Sequence, residues 1–120
     1  NIKILRDRIE NLAHNSLYRN NFDICTTRAV SIPSTVTEYI LPMLNLRGTG
    51  ILYCGKWNEK EQKQIEKALS ILGGSLQERK QTFLPFNTGE RNIIYIKPEI
   101  LCPKLYPRKV GKPTKYPLGH

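Results

Sequence analysis

Basic side chains follow two apolar stretches of this sequence and are its best candidates for binding chemistry. Arg28 lies near the end of the β-rich stretch FDICTTRAV, and Lys56 and Trp57 follow a second such stretch, TGILYCG. In open α/β sheets, ligands bind at the carboxyl ends of parallel strands, where both positions would fall. Arg28 is the strongest candidate, because a charge at the end of a buried strand needs a partner. That partner is either a ligand or a structural carboxylate such as Asp23 or Glu38.

The residues after the second stretch allow two interpretations. Lys56 could contact a phosphate while Trp57 stacks on a base, or both could be ordinary residues at the edge of the sheet. The two histidines, His14 and His120, lie near no suitable nucleophile, so a serine or cysteine triad is not indicated. The sequence also lacks paired carboxylates of the glycosidase kind and glycine-rich nucleotide loops. Residue spacing alone therefore leaves catalysis undecided.

The net charge points to a polyanionic partner. The 120 residues include 19 Lys and Arg against 10 Asp and Glu, a formal charge of +9, and contacts with phosphates release condensed counterions. Nucleic acid is the leading partner class, an anionic membrane surface is second, and lysines that only maintain solubility are a third interpretation. No apolar run reaches the roughly 18 residues of a membrane span, so we expect a soluble, cytoplasmic protein. The three cysteines are far apart, which predicts reduced, buried thiols and no metal site.

Hydrophobic periodicity and capping residues predict alternating strands and helices. The first half contains a strand NIKILR, a helix from Ile9 to Leu17, a buried strand from Phe22 to Val30, and a helix that Ser31 or Ser34 caps, Pro42 kinks and Gly48 ends. The second half contains a strand from Thr49 to Gly55 and a helix between Asn58 and Gly73. The apolar stripe of this helix is Ile65, Ala68, Leu69 and Leu72. A hairpin of QTFLPF and RNIIYIK follows. This order predicts a mostly parallel α/β sheet with an antiparallel strand near its end.

The chain ends in a basic, proline-rich stretch, YPRKVGKPTKYPLGH. It carries no acid and contains prolines at positions 107, 113 and 117. Its cations are Arg108, Lys109, Lys112 and Lys115. The proline spacing argues against a helix or a central strand, and it predicts an extended segment outside the core. Charge alone indicates only that this segment attracts anions.

Three stretches together, FDICTTRAV, TGERNIIYIKP and YPRKVGKPTKYPL, resemble the RsmG (GidB) family, and the likeness covers essentially the whole chain. The resemblance implies a bacterial enzyme that uses S-adenosyl-L-methionine to methylate N7 of a guanosine in 16S ribosomal RNA. The fold it implies is the C-terminal portion of a Rossmann-like methyltransferase, with strands 3–7 of a seven-stranded, mostly parallel sheet ordered 3-2-1-4-5-7-6. Residues 1–102 would be the methyltransferase part, lacking the glycine-rich cofactor loop, and residues 103–120 a basic tail.

The resemblance also implies roles for individual residues. Ile9 and Glu10 match the family's R-x-E stretch after its third strand and would line the adenosine of the cofactor, and Arg28 would bind the cofactor as well. Relatives often have Lys-Gly after the fifth strand, whereas this chain has Gly-Lys, so we place Lys56 with the RNA contacts. The tail cations Arg108, Lys109, Lys112 and Lys115 would contact RNA phosphates, unless the tail serves only in packing.

The partner implied is 16S ribosomal RNA or the small ribosomal subunit, met by a monomer without metal or membrane. The main alternative is a non-catalytic basic α/β module that binds RNA. A weaker one is a phosphate-metabolite enzyme that uses Arg28 and Lys56. Methylation of N7 suits the residues present, because that nitrogen has a lone pair and no proton to remove. Orientation of donor and acceptor would then be the main requirement.

Overall fold

The computed structural model describes residues 1–28 and 30–120, which form four strands and four short or medium helices. The helices are α1 (Ile9–Leu12), α2 (Pro33–Ile40), α3 (Glu59–Leu72) and α4 (Lys112–Lys115). The strands are β1 (Phe22–Arg28), β2 (Leu44–Cys54), β3 (Gly74–Phe83) and β4 (Glu90–Pro98). Within the described residues, no helix has the length and apolar character needed to cross a membrane.

The four strands form one sheet in the order β1-β2-β4-β3. β1 runs parallel to β2, and β4 is antiparallel to both of its neighbours. Three strands therefore point one way and β4 the other, which confirms the predicted sheet with a reversed strand near its end. The order equals the 4-5-7-6 half of the sheet that the family resemblance implies. The predicted hairpin is the β3–β4 pair, but β3 begins at Gly74, seven residues before the predicted QTFLPF, and ends at Phe83.

One face of the sheet carries the core. Leu52, Ile94 and Ile96 are almost completely buried there against the helices. The α3 residues that pack on them are Ile65, Ala68, Leu69 and Leu72. Local signals begin and end this helix as predicted, since Asn58 accepts a hydrogen bond from the Glu61 amide and Gly73 adopts the left-handed conformation at φ 84°.

The other face of the sheet is open among the described residues, and this corrects the prediction of a buried strand from Phe22 to Val30. β1 is an edge strand with β2 as its neighbour on one side. Ile24 of β1 is 62% exposed and Tyr53 of β2 is 49% exposed. A continuous apolar strand is buried only when helices cover both of its faces, and here α2 and α3 cover one. Residue 29, within the predicted strand, lies outside the described residues.

Two predicted elements at the beginning of the chain are wrong or too long. The stretch NIKILR forms no strand, because residues 1–6 have no strand beside them with which to exchange hydrogen bonds. The predicted helix from Ile9 to Leu17 is limited to α1, and turns follow it. The apolar pattern therefore predicted a strand that does not form and a helix longer than α1.

The second helix ends earlier than predicted. α2 stops at Ile40 and a 3-10 turn occupies Leu41–Met43, so Pro42 ends the helix instead of kinking it. Residues 44–48 were predicted as helix but are the first part of β2. The start also differs, because Ile32 is the N-cap without a side-chain bond and Pro33 takes the first helical turn.

The end of the chain folds back on the domain, contrary to the expectation of an extended segment outside the core. Cys102 and Leu118 both belong to the main apolar cluster. α4 is a single helical turn in which Pro113 sits near the start, where a missing N–H costs no hydrogen bond. The prediction that this segment holds no helix and no core residue is therefore wrong. We keep the name tail for residues 103–120.

Candidate active site

The carboxyl ends of β1 and β2 lie side by side and bring basic residues to one edge of the sheet. Arg28 is opposite Tyr53 in the parallel pairing, and Lys56 follows the end of β2 two residues after Cys54. Because β4 is antiparallel to β2, its first residues arrive at the same edge, with Asn92 opposite Cys54. We call this edge, with Arg28, Lys56 and the start of β4, the carboxyl edge.

Asn92 organises the carboxyl edge through three hydrogen bonds. It is fully buried, and its Nδ2 donates to the Gly55 carbonyl at 2.7 Å and to Glu90 Oε2 at 3.2 Å. Its Oδ1 accepts a hydrogen bond from Arg79 Nη1 at 2.8 Å. The backbone just before Lys56 is thereby tied to β4 and β3. Sequence reasoning missed Asn92, although a polar residue at the start of the apolar run RNIIYIK was the available signal.

Glu90 is the carboxylate of this edge and stays ionised. Hydrogen bonds from Gln81 at 2.7 Å and from Asn92 lower the pKa of Glu90, burial opposes them, and the charges of Lys56 and Arg79 lower it further. An ionised Glu90 offsets part of the positive charge that the neighbouring cations bring. Its pKa shift is the opposite of what a general base near neutral pH requires.

Arg28 takes part in no ion pair among the described residues. The ion pairs among the described residues are Arg8–Glu10, Lys97–Glu99 and Arg108–Glu38, so Glu38 serves another arginine. Asp23 instead accepts a hydrogen bond from the side chain of Asn45. By strand alternation, Arg28 lies on the open face of the sheet with Ile24. The two structural carboxylates considered from the sequence are thus engaged elsewhere.

An apolar cavity of about 310 Å³ lies between α1, β1 and α2. Its lining includes Ile9, Cys25, Thr27, Val36, Tyr39 and Met43. Burial raises the pKa of the Cys25 thiol to about 11, so this thiol is neutral and unreactive at physiological pH. The cavity runs along β1 from Phe22 to Thr27, and a mainly apolar cavity of this size is suited to the flat ring of a small molecule.

The two residues predicted to line the adenosine face different ways. Ile9 faces the apolar cavity, whereas the Glu10 side chain is almost fully buried on the side of the tail. Its carboxylate accepts hydrogen bonds from Arg8 Nη2 at 2.8 Å and from the Gly111 amide at 2.9 Å. A cofactor contact at Glu10 would therefore come from its main chain, and both roles remain predictions.

The predicted RNA-binding residues fall into two groups. The side chain of Arg108 is 15% exposed and pairs with Glu38 through Nε and Nη2 at 3.0 and 2.9 Å, and Nη2 also donates to the Tyr116 carbonyl at 2.7 Å, so most of its charge is directed into the domain. The side chains on the surface are those of Lys56, Lys109, Lys112 and Lys115. These four lysines remain candidates for phosphate contact. Among the described residues, no three His, Cys, Asp or Glu side chains gather as a metal site would require.

The sheet order, the reversed β4 and the helices on one face define the C-terminal portion of a Rossmann-like methyltransferase fold. A solved structure from Thermoplasma acidophilum, described as a candidate methyltransferase, matches 66% of this chain and 39% of its own at a TM-score of 0.50 and 12% identity. At that identity, the match supports the fold alone.

Residues 1–94 match the family model of GidB, rRNA small subunit methyltransferase G, and the chain belongs to this family. Ribosomal RNA small subunit methyltransferase G of Prochlorococcus marinus strain MIT 9312 is 61% identical over 118 residues, which are 98% of this chain and 50% of that protein. The namesake from strain NATL2A is 42% identical over 119 residues, 99% of this chain and 48% of the relative. The chain thus spans about half the length of the curated relatives it matches.

Proposed function

We propose that the protein containing this chain methylates N7 of a guanosine in 16S ribosomal RNA with S-adenosyl-L-methionine as the donor. Family membership supports the class of reaction. The observation in this chain that carries the proposal is Arg28 at the carboxyl edge, outside every ion pair of the described residues and close in register to the loop that holds Lys56. We also propose that the protein acts as a cytoplasmic monomer on ribosomal RNA or the small subunit.

The residues of the site suit a transfer that moves no proton at the acceptor. When bound, S-adenosyl-L-methionine would supply an activated methyl group, which guanine N7 would accept through its lone pair. Ile9 would pack on the adenine ring, and Arg28 would orient the cofactor or the base. Lys56, Lys109, Lys112 and Lys115 would contact RNA phosphates. These residues contribute binding and orientation, which can lower the barrier without acid-base chemistry.

Arg28→Ala in the full-length protein tests the proposal. We expect the variant to fold and to lose most methyl transfer, because Arg28 is exposed and holds no structural carboxylate. Arg47→Ala is the matched control, since Arg47 is an exposed arginine near the opposite end of β2. The assay follows a radiolabelled methyl group from S-adenosyl-L-methionine to small-subunit RNA. Wild-type turnover in Arg28→Ala would rule out the assigned role.

A non-catalytic RNA-binding module is the second candidate, favoured by the net charge of +9 and the exposed lysines of the tail. The two candidates differ in cofactor binding. Calorimetry of the full-length protein with S-adenosyl-L-homocysteine separates them, because only a methyltransferase should bind this product. Binding of RNA without any binding of S-adenosyl-L-homocysteine would select the module.

A further inference from the structure

The tail contacts two parts of the molecule that lie on either side of β1 in the sequence and are also joined by hydrogen bonds from the Asn20 and Asn21 amides to the Pro42 and Met43 carbonyls. One part is α1 with the turns after it, and the other is α2. Both parts also line the apolar cavity, through Ile9 on one side and through Val36, Tyr39 and Ile40 on the other. The position of the tail therefore bears on the spacing between the two walls of this cavity.

Three polar side chains fasten the tail to α1 and its following turns. The Glu10 carboxylate accepts the Gly111 amide at 2.9 Å, and His14 Nε2 donates to the Pro107 carbonyl. Arg19 reaches furthest, donating to the carbonyls of Tyr106 at 2.6 Å and Pro103 at 3.0 Å. Because the tail contributes only main-chain groups to these bonds, the Gly111 amide as donor and the carbonyls as acceptors, they hold the path of the tail independently of its side chains.

Three residues of α2 fasten the other side of the tail. Glu38, fully buried, accepts hydrogen bonds from the amide, Nε and Nη2 of Arg108 at 2.8, 3.0 and 2.9 Å. Thr35 Oγ1 donates to the Pro113 carbonyl at 3.0 Å. The Tyr39 hydroxyl lies 3.0 Å from Thr114 Oγ1. α2 thus contacts the tail on one side and lines the cavity on another. In α1, likewise, Glu10 bonds to the tail and Ile9 lines the cavity.

Two buried carboxylates, Glu10 and Glu38, hold the tail in place. A buried charge is costly unless hydrogen bonds and an opposite charge satisfy it. Glu10 and Glu38 each have an arginine partner, and each also accepts a main-chain N–H of the tail. Moving the tail would leave both carboxylates short of donors. The tail and the cavity walls are therefore expected to move together or not at all.

We propose that the tail is a strap that fixes the spacing between Ile9 and α2 and thereby sets the affinity for the cofactor, with Arg108 as the main positioning residue. This inference rests on the proposed function. It assigns to Arg108 an effect on cofactor binding in place of the RNA contact that its charge suggested. When the tail detaches from α2, the spacing between Ile9 and α2 changes and the affinity of the full-length protein for the cofactor falls.

Arg108→Met in the full-length protein is the test, with S-adenosyl-L-homocysteine as the probe. The strap predicts a rise of at least tenfold in the dissociation constant for S-adenosyl-L-homocysteine and a change of less than twofold in RNA affinity. Lys104→Met is the matched control, because this tail cation is exposed, is not among the proposed RNA contacts, and has no hydrogen bond to α1 or α2 among the described residues. Arg108→Lys keeps the positive charge near Glu38 and is expected to restore part of the lost cofactor affinity.

Steady-state kinetics distinguish the strap from general damage to the fold. A strap raises the KM for S-adenosyl-L-methionine and leaves kcat and the KM for RNA unchanged, whereas partial unfolding lowers kcat at unchanged KM values. If Arg108→Met does not fold, Thr35→Val decides, since it removes a single hydrogen bond to the tail and should raise the same KM two- to fivefold.

The outcomes separate the two proposals. Absence of S-adenosyl-L-homocysteine binding in the wild-type protein would remove the proposed function itself. Tight wild-type binding, retained in the folded variants of Arg108 and Thr35, would overturn the strap alone. A loss of RNA affinity in Arg108→Met at unchanged cofactor affinity would overturn the strap as well and return Arg108 to the RNA contacts.

Discussion

Replacing Arg108 by methionine should destabilise the protein far more than the loss of an ordinary surface charge. Glu38 is fully buried, and Arg108 supplies two of its side-chain hydrogen bonds. After the substitution, the carboxylate keeps the Arg108 amide as its remaining donor from the tail. Removing one partner of a buried pair costs about 3–5 kcal/mol. We expect a value near the lower limit, about 3 kcal/mol, because that amide still satisfies one oxygen.

A double-mutant cycle with Glu38→Met isolates the pair. With both charges gone, two methionines can pack in a similar volume, and such replacements are often neutral. The double variant still loses the bond from Arg108 to the Tyr116 carbonyl, which costs about 1 kcal/mol. The double variant should therefore be more stable than Arg108→Met alone, with a coupling energy of at least about 2 kcal/mol.

Urea unfolding of the full-length protein, followed by circular dichroism at pH 7, measures all four corners of the cycle. Lys97→Met is the control, because its ion pair with Glu99 is exposed at both partners and spans 3.6 Å; we expect no measurable change in the midpoint. The reasoning is refuted if the double variant loses as much stability as the two single variants added together. In that case, Glu38 and Arg108 contribute independently and the burial argument fails.

Three further perturbations test other parts of the structure. Burial raises the pKa of Glu10, but hydrogen bonds from Arg8 and the Gly111 amide outweigh it, so the net pKa lies below the usual 4.5. The ionised form therefore stabilises the fold above that pH, and this contribution is lost as the pH falls through the folded-state pKa. In Glu10→Gln, the loss of stability between neutral and acid pH, followed by circular dichroism, should be smaller than in the wild-type protein. An unchanged loss would contradict the stabilising role of ionised Glu10. Gly50→Ala should cost about 1–3 kcal/mol in urea unfolding, because an added Cβ would lie 2.7 Å from the Ile96 side chain; a neutral result would mean that the sheet relaxes there. Replacing three tail lysines by glutamine should lower the slope of log binding constant against log salt concentration for RNA by about 2, if each lysine contacts a phosphate. Replacing three lysines on α3 in the same way is the control. An equal effect of the two triple variants would argue against a phosphate contact by the tail. The lysines are Lys109, Lys112 and Lys115 in the tail and Lys60, Lys63 and Lys67 on α3.

Local signals in the sequence determined α3 and, in the hairpin, β4. The cap at Asn58, the left-handed turn at Gly73 and the apolar stripe between them each involve residues within a few positions of one another. Such interactions form whenever the segment is helical, so one sequence is enough to predict them. The family motifs are likewise read from the sequence alone. The link of the hairpin was predicted only in part, because it occupies residues 84–89 instead of Asn87–Glu90.

Contacts between distant residues decided the rest. The periodic pattern could not show that NIKILR lacks a neighbouring strand or that β1 has one open face, because both depend on which strands are present beside them. The partner of Glu38 lies 70 positions away in Arg108, whereas the family resemblance and the charge of the tail had predicted an RNA contact for that arginine. A cation in a tail is equally basic whether it faces solvent or a buried carboxylate, and only the folded chain brings the carboxylate to it. For that reason the sequence by itself determined the family, whereas the tertiary structure decided that the tail folds onto the domain and that Arg108 binds Glu38.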